Sequence, residues 1–275
     1  MAISSSFPTL PFDIIEIIVD ELAKDGCMLA IKACCLASIL FVPLCRKHIF
    51  FRLKVWSSDR NDRRPANWFK ILLERDPSIA GSVRDLDLTN HYRAQRHLGT
   101  RILQDLRRVH SFTLGFTDPR HCCLPQRHWE MLPKAFTNSI IHFIRQNDIV
   151  TLKLSHIKAV PVSLFKNFPS LENLELFNLQ VSEDGSTTIK AQTPSLLRRL
   201  CVENGCTETL DTILRIGGTQ GGPLWNLTGL RELSVWMEEP QSAEITNHIL
   251  SLTNALEVLT CSGAATYLNG PDVLD

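Results

Sequence analysis

The sequence predicts an α/β fold: a short three-helix unit at the front, then an irregular solenoid of strand–helix repeats sharing one parallel sheet. Three observations predict it. The first fifty residues carry apolar side chains at helical spacing, a three-point apolar pattern recurs from Val83 onward, and helical patterns fall between its recurrences. With 44% hydrophobic residues in 275, the chain has material for a core, which excludes wholesale disorder.

In the front unit, Leu10-Pro11 opens the first helix, because proline at a first helical position leaves no needed N–H unpaired. Ile14, Ile17, Ile18 and Leu22 then share one face, Ile15 and Val19 widen it, and Asp25-Gly26 ends it. A second helix is expected from Met28 to Leu40, and a third from about Pro43, carrying Leu44, Ile49 and Phe50. Three short helices cannot cover this much apolar surface, since small domains have little interior for their surface. Some of it is expected to meet another protein or the rest of the chain. The polar run Ser57 to Pro65 reads as a linker, followed by an amphipathic helix from Asn67 to Glu74 with Trp68, Leu72 and Leu73 inward.

The recurring pattern is apolar, two others, apolar, one other, apolar. It occurs as Val83/Leu86/Leu88, Val109/Phe112/Leu114, Ile149/Leu152/Leu154, Leu171/Leu174/Leu176, Leu197/Leu200/Val202, Leu230/Leu233/Val235 and Leu256/Leu259/Cys261. Its middle positions are 26, 40, 22, 26, 33 and 26 residues apart. Leucine-rich repeats have this signature and a period of ~20–29 residues, and the two long intervals read as insertions. The longest holds an extra helical segment from Trp129 to Ile144, with Asn138 as an N-cap before Ile140. Ile102, Leu103 and Leu106 mark another helix. Leu210, Ile213 and Leu214 mark one that ends at Gly217-Gly218, and Ile245, Ile249 and Leu252 mark the last. The Asn or Cys usual three residues past the pattern is missing; Asn90, Asn178 and Asn204 sit two past it, so a regular asparagine ladder is not expected. Three segments result: 1–52 helical, 53–80 linker and connecting helix, 81–275 repeats. Only Ser262 to Asp275 follow the last pattern, so the chain is expected either to be a shortened product or to fold this tail over the open end, and otherwise to self-associate.

Several function classes are disfavoured. Lys+Arg and Asp+Glu number 29 each, so there is no global basic field for nucleic acid. Arg107-Arg108 and Arg198-Arg199 are too short to replace one. No apolar run approaches the ~18–20 residues of a membrane span. Met1 to Ser6 lacks a signal-peptide pattern, so the nine cysteines are expected as reduced thiols in the cytoplasm and/or nucleus. Cys45-x-x-His48 and His121-Cys122-Cys123 lack the paired framework of a zinc site, so no metal and no cofactor is expected. Gly217 to Pro223 lacks the Lys-Ser/Thr of a phosphate-binding loop. Asn226-Leu227-Thr228 matches a glycosylation sequon that a reducing compartment leaves idle, and Asp85 and Asp87 read as solvated residues. No G-x-S-x-G elbow occurs, and the chain is expected not to be an enzyme.

The front unit resembles an F-box. The residues that carry the resemblance are Leu10-Pro11-x-Asp13-Ile14-Ile15-x-x-Ile18-Val19-x-x-Leu22, Cys34-Cys35-Leu36, Phe41, and Pro43-Leu44-Cys45-Arg46-Lys47-His48-Ile49-Phe50. The ending is similar to F-box-like proteins abundant in mushroom-forming fungi, which often join this unit to degenerate leucine-rich repeats. Ile39 stands where the family usually has a basic residue, and Ala37-Ser38 replace its usual Val-Cys. The resemblance implies a non-catalytic substrate-recognition adaptor of a Skp-cullin-F-box ubiquitin ligase. Leu10, Pro11, Ile14, Ile18, Leu22, Leu36 and Leu44 would contact the Skp adaptor, which bridges to a cullin and a RING subunit. The repeats would hold a protein substrate. The alternative is a repeat scaffold whose front helices only cap the solenoid.

Strand alternation proposes the substrate surface. If Leu86 and Leu88 face the core, positions 85 and 87 face the open side, and so do 111 and 113, 151 and 153, 173 and 175, 199 and 201, 232 and 234. Asn173, Glu175 and Arg199 are candidate contacts there, and Phe177 and Trp236, one step further on, are candidate aromatic anchors.

Overall fold

The computed structural model describes residues 11–55, 64–89, 98–116, 127–183, 194–203, 205–219, 224–237 and 240–263. Helix α1 (Phe12–Lys24) begins after Pro11 and ends at Gly26, whose φ of 71° places it in the left-handed region that glycine tolerates. Helix α2 (Met28–Ala37) stops short of Leu40. Ser38 is extended there, and its hydroxyl accepts the Leu40 N–H at 3.3 Å. A 3₁₀ turn, Ile39–Phe41, leads into α3 (Val42–Ile49), with proline in its first turn. These helices close on a small core of their own, made of Val19, Ile31, Leu44 and Cys45. Lys47 ties α3 to α1 through Glu16 and Asp20, each at 2.8 Å, and His48 meets the same Asp20 at 2.8 Å.

The remaining elements in chain order are β1 (Arg52–Lys54), α4 (Arg64–Arg75), β2 (Asp85–Thr89), α5 (Leu98–Asp105), β3 (Ser111–Gly115), β4 (Arg127–His128), α6 (Lys134–Gln146), β5 (Thr151–Pro161), β6 (Asn173–Ser182), β7 (Ser195–Leu196), β8 (Arg199–Glu203), α7 (Thr207–Thr219), β9 (Trp225–Asn226), β10 (Glu232–Trp236), α8 (Pro240–Leu252) and β11 (Val258–Ser262). Further 3₁₀ segments cover Pro77–Ser82, Trp129–Met131 and Val162–Asn167. The large sheet runs β1-β2-β3-β5-β6-β8-β10-β11 and is parallel throughout, with β4 paired to the far half of β5. Strands β7 and β9 form a separate two-stranded pair.

The register explains the repeat. Leu53, Leu86, Phe112, Leu152, Leu174, Leu200, Leu233 and Leu259 stand side by side across eight strands. All seven expected middle positions lie in this row. Leu53 is an eighth member: Phe50, Leu53 and Val55 have the same three-point spacing, so the expected division at residue 52 falls inside β1. The next row holds Leu88, Leu114, Leu154, Leu176, Val202, Val235 and Cys261. Just before each strand, one carbonyl accepts two N–H groups of the next repeat. Phe51 accepts from Arg84 and Asp85, Val150 from Glu172 and Asn173, and Arg231 from Glu257 and Val258. Each repeat therefore fixes the start of its neighbour through the backbone alone.

The helices complete the core with differences from expectation. Helix α4 starts at Arg64 and buries Phe69 and Leu73, leaving Trp68 61% exposed rather than inward. Helix α6 starts after Pro133, so Asn138 lies inside it; Phe136, Ile140, Phe143 and Ile144 form its buried stripe, and Phe143 meets Phe112 edge-on. Helix α7 runs through Gly217-Gly218 to Thr219. After α6, buried Asn147 accepts the Val109 N–H at 2.9 Å and donates to the carbonyls of Leu106 and Phe143. One side chain thereby joins the ends of α5 and α6 to the approach of β3.

Urea unfolding should show this grading. Leu174→Ala, at a fully buried site, is expected to cost about 2–5 kcal/mol. Leu259→Ala, in the same row but 47% exposed on β11, should cost about 1 kcal/mol or less. Equal losses would contradict the row. Asn147→Ala should cost about 2–3 kcal/mol, because it strands buried backbone groups.

Candidate functional site

Two surfaces hold the residues singled out from the sequence. The first is the outer face of the front helices. On α1, Phe12, Ile14, Ile17 and Ile18 are 50%, 43%, 56% and 47% exposed. The last three share a face at i, i+3, i+4. On α2 and the following turn, Leu29, Leu36, Ile39 and Leu40 are 82%, 88%, 84% and 63% exposed. Side chains of this size are normally covered, and here the chain's own larger core does not cover them.

The expected partner-contact residues fall in three groups. Ile14, Ile18 and Leu36 are on this face, and Pro11 is exposed at its edge. Leu22 is half-buried against the small core, and Leu44 belongs to that core at 7% exposure, so it supports the face from beneath instead of presenting itself. Leu10 lies outside the described residues. Leu29, Ile39 and Leu40 were missing from the expected set although their exposure is higher than that of Ile14. An apolar run without polar spacing gives no cue to its outward side.

The front helices are joined to the sheet by chain continuity through β1 and by an ion pair between Arg46 of α3 and Asp76. Val55, Phe69, Leu73 and Ile79 fill the core at that end of the sheet. The exposed face of α1 and α2 is not used there.

The second surface is the open face of the sheet. Register places Arg52, Asp85, Ser111, Thr151, Asn173, Arg199 and Glu232 in one column, and Lys54, Asp87, Thr113, Lys153, Glu175, Cys201 and Ser234 in the next. The expected outward positions are all here. The charges are paired across strands: Arg52 with Asp85, Lys54 with Asp87 at 3.3 Å, Lys153 with Glu175 at 2.6 Å and Arg199 with Glu232 at 3.4 Å. Asn173 donates to the Thr151 hydroxyl at 3.1 Å. Asp85 is buried under its Arg52 partner, a correction to its reading as a solvated residue. The third column carries Ser155, Phe177 and Glu203 in register, and Trp236 on β10 one step beyond Val235, which pairs with Val202.

Beside that column the backbone is unusual. His156, Ala159 and Asn178 have φ of 57°, 53° and 48°, and the β5–β6 register shifts between Ile157 and Val160. Asn178 Nδ2 lies 3.1 Å from His156 Nδ1, and the imidazole stands edge-on to Phe177 at 4.8 Å. At the next position, the Leu179 N–H is accepted by the Cys206 thiol at 3.1 Å, and its carbonyl accepts from the Thr209 hydroxyl at 2.6 Å. Cys206 and the first turn of α7 thus satisfy both backbone groups of Leu179 inside β6.

Burial pushes the Cys206 thiol up to about 12 and the Cys45 thiol, beside Cys35 and Cys34, up to about 11. Such thiols are poor nucleophiles. Among the described residues no group of three or more His, Cys, Asp or Glu is placed to hold a metal ion, and no helix is long and apolar enough to cross a membrane. His121, Cys122 and Cys123 lie outside the described residues, as do Asn90 and Asn204. Asn226 of the sequon folds its side chain onto the Thr228 N–H and hydroxyl at 3.0 and 2.7 Å. No protein-family model, curated protein or solved structure matches the chain.

Burial lowers the His156 pKa below its usual value of 6.5. The folded protein therefore binds fewer protons there than the unfolded chain, so the contribution is present above about pH 6.5 and is lost as pH falls through the lower folded value. The melting temperature should drop between about pH 7.5 and about pH 5.5. His156→Asn tolerates the same left-handed backbone and should flatten that drop. Parallel curves for the two proteins would rule out His156 as its source.

Proposed function

We propose that this protein is a non-catalytic substrate-recognition adaptor of a Skp-cullin-F-box ubiquitin ligase: the front helices bind the Skp adaptor and the repeats bind a protein substrate. The observation that carries the reading is the apolar face on α1, α2 and the turn after them that is exposed among the described residues, on a unit that already has its own core. A cap would spend that face on the solenoid, whereas a docking module keeps it for a partner. The register row and the strand–helix alternation support reading the larger part as a degenerate leucine-rich-repeat solenoid. Such a protein supplies no bond-making group; it raises the local concentration of substrate at a transfer site held elsewhere in the assembly.

The test is capture of purified Skp by the full chain. Wild type should capture it. Ile14→Lys and Leu36→Lys should each weaken capture by roughly 30-fold or more, since an anchor contributes about 2 kcal/mol and the lysine adds a desolvation cost. Both positions are exposed, so thermal melts should stay within a few degrees of wild type. If wild type captures no Skp, the adaptor reading fails and the scaffold with capping helices replaces it.

A further inference from the structure

The open sheet face carries a local imbalance of charge. Its described acids are Asp85, Asp87, Glu175, Glu203 and Glu232, and its cations are Arg52, Lys54, Lys153 and Arg199. Four of these acids are paired with the four cations. Glu203 has no cationic partner among the described residues; its carboxylate accepts only the Cys201 thiol, at 3.6 Å. It is half-buried, with Phe177 directly beside it on β6; Trp236 on β10 stands one residue beyond Val235, which pairs with Val202 just before Glu203. Neighbouring strands are about 4.8 Å apart, so the two rings rise from strands roughly 10 Å apart, with β8, the strand that carries Glu203, between them. The His156 ring holds Phe177 from its far side.

An acid between two aromatic side chains is complementary to one kind of group, a flat cation. A guanidinium stacks on indole and benzene faces and donates to a carboxylate in the same pose. We propose that Phe177, Glu203 and Trp236 form a binding site for an arginine side chain presented by an extended segment of a protein ligand. This names the substrate chemistry within the adaptor reading and rests on it for its biological role, but the binding itself needs neither Skp nor a ligase. The paired charges around the site define the specificity: a diffuse basic surface finds little net field to follow, whereas one arginine seated in the slot neutralises Glu203, the one carboxylate without a cation among the described residues of this face.

The probe is a fluorescein-labelled nonapeptide, (Gly-Arg)4-Gly, titrated with the full chain alone and read by anisotropy, beside the same peptide with citrulline for arginine. Citrulline keeps the shape and removes the charge. The arginine peptide should bind at least tenfold more tightly. Glu203→Gln still accepts from Cys201 and should lose about tenfold. Glu232→Gln, an acid already paired on the same face, should change affinity less than twofold. Trp236→Ala should lose as much as Glu203→Gln, with circular dichroism melts reporting that each variant is folded. Equal binding of arginine and citrulline peptides, equal losses for Glu203→Gln and Glu232→Gln, or no binding at millimolar protein would each overturn the proposal. None of these results depends on Skp capture, so failure here and failure of the adaptor reading are distinguishable.

Discussion

The row of apolar side chains from Leu53 to Leu233 holds one register across seven strands, and the rest of the structure is arranged around that constraint. In a strand the side chains alternate faces, so a slip of one residue anywhere in the row would turn leucines to solvent and bring Arg, Asp or Thr into the core. The shared carbonyls before each strand reinforce the register from the backbone. Once both are in place, the positions of the polar columns follow without further specification. Cross-strand pairs such as Lys153–Glu175 and Arg199–Glu232 join residues 22 and 33 positions apart in sequence, and only the register makes them neighbours. At the other end of the row the constraint runs out: among the described residues β11 has a strand on one side only, and Val258 and Leu259 are half exposed.

The front helices obey a different logic. Their core is four buried residues and the side chains leaning on them, little to hold three helices together. Polar ties between α1 and α3 through Lys47, Glu16, Asp20 and His48 supplement it, and the Lys47 and His48 hydrogen bonds hold the Asp20 carboxyl below the usual carboxylate range. These ties lie on the side of α1 that turns toward α3. The isoleucines at 14, 17 and 18 take the remaining side. The same helix therefore separates the function of holding the unit together from that of presenting an apolar face, and a partner can occupy the second without disturbing the first.

How much of this was legible in the chain depends on how local the signal is. The seven three-point windows were readable because leucines at positions 1, 4 and 6 of a short stretch carry strand and register at once. Phe50, Leu53 and Val55 carry the same spacing but follow directly on a helical segment, so they read as its end. In α4 two neighbouring apolar stripes compete, Trp68 with Leu72 and Phe69 with Leu73, and the helical period alone does not say which of them turns inward; the structure buries Phe69 and Leu73. Two-residue strands such as β7 and β9 leave no periodic trace at all. For the surfaces, alternation was sufficient to place Asn173, Glu175 and Arg199 on the open face, yet the pairing that neutralises Glu175 and Arg199 required knowing which strand lies beside which. Leu44 shows the converse limit: a motif position tells which residues matter to a unit, but not whether they matter by contact or by support.

That pairing changes what the open face can do. A sheet lined with unpaired charges of one sign attracts many ligands through a long-ranged field that salt screens. Here each cation is already held by an acid on a neighbouring strand, so approach from a distance gains little and recognition is left to short-range fit. Short-range fit needs rigid, well-placed groups. Phe177 meets this requirement through its neighbours: His156 stands against its ring and Asn178 against His156, both with left-handed backbone just ahead of the β5–β6 register shift. The irregularity of the repeat at β5 and β6 thus lies beside an aromatic side chain held by its neighbours, and the regular strands around it carry paired charges. A perfectly periodic sheet would have had no position distinguished from its neighbours, and hence no reason for a ligand to settle at one strand rather than another.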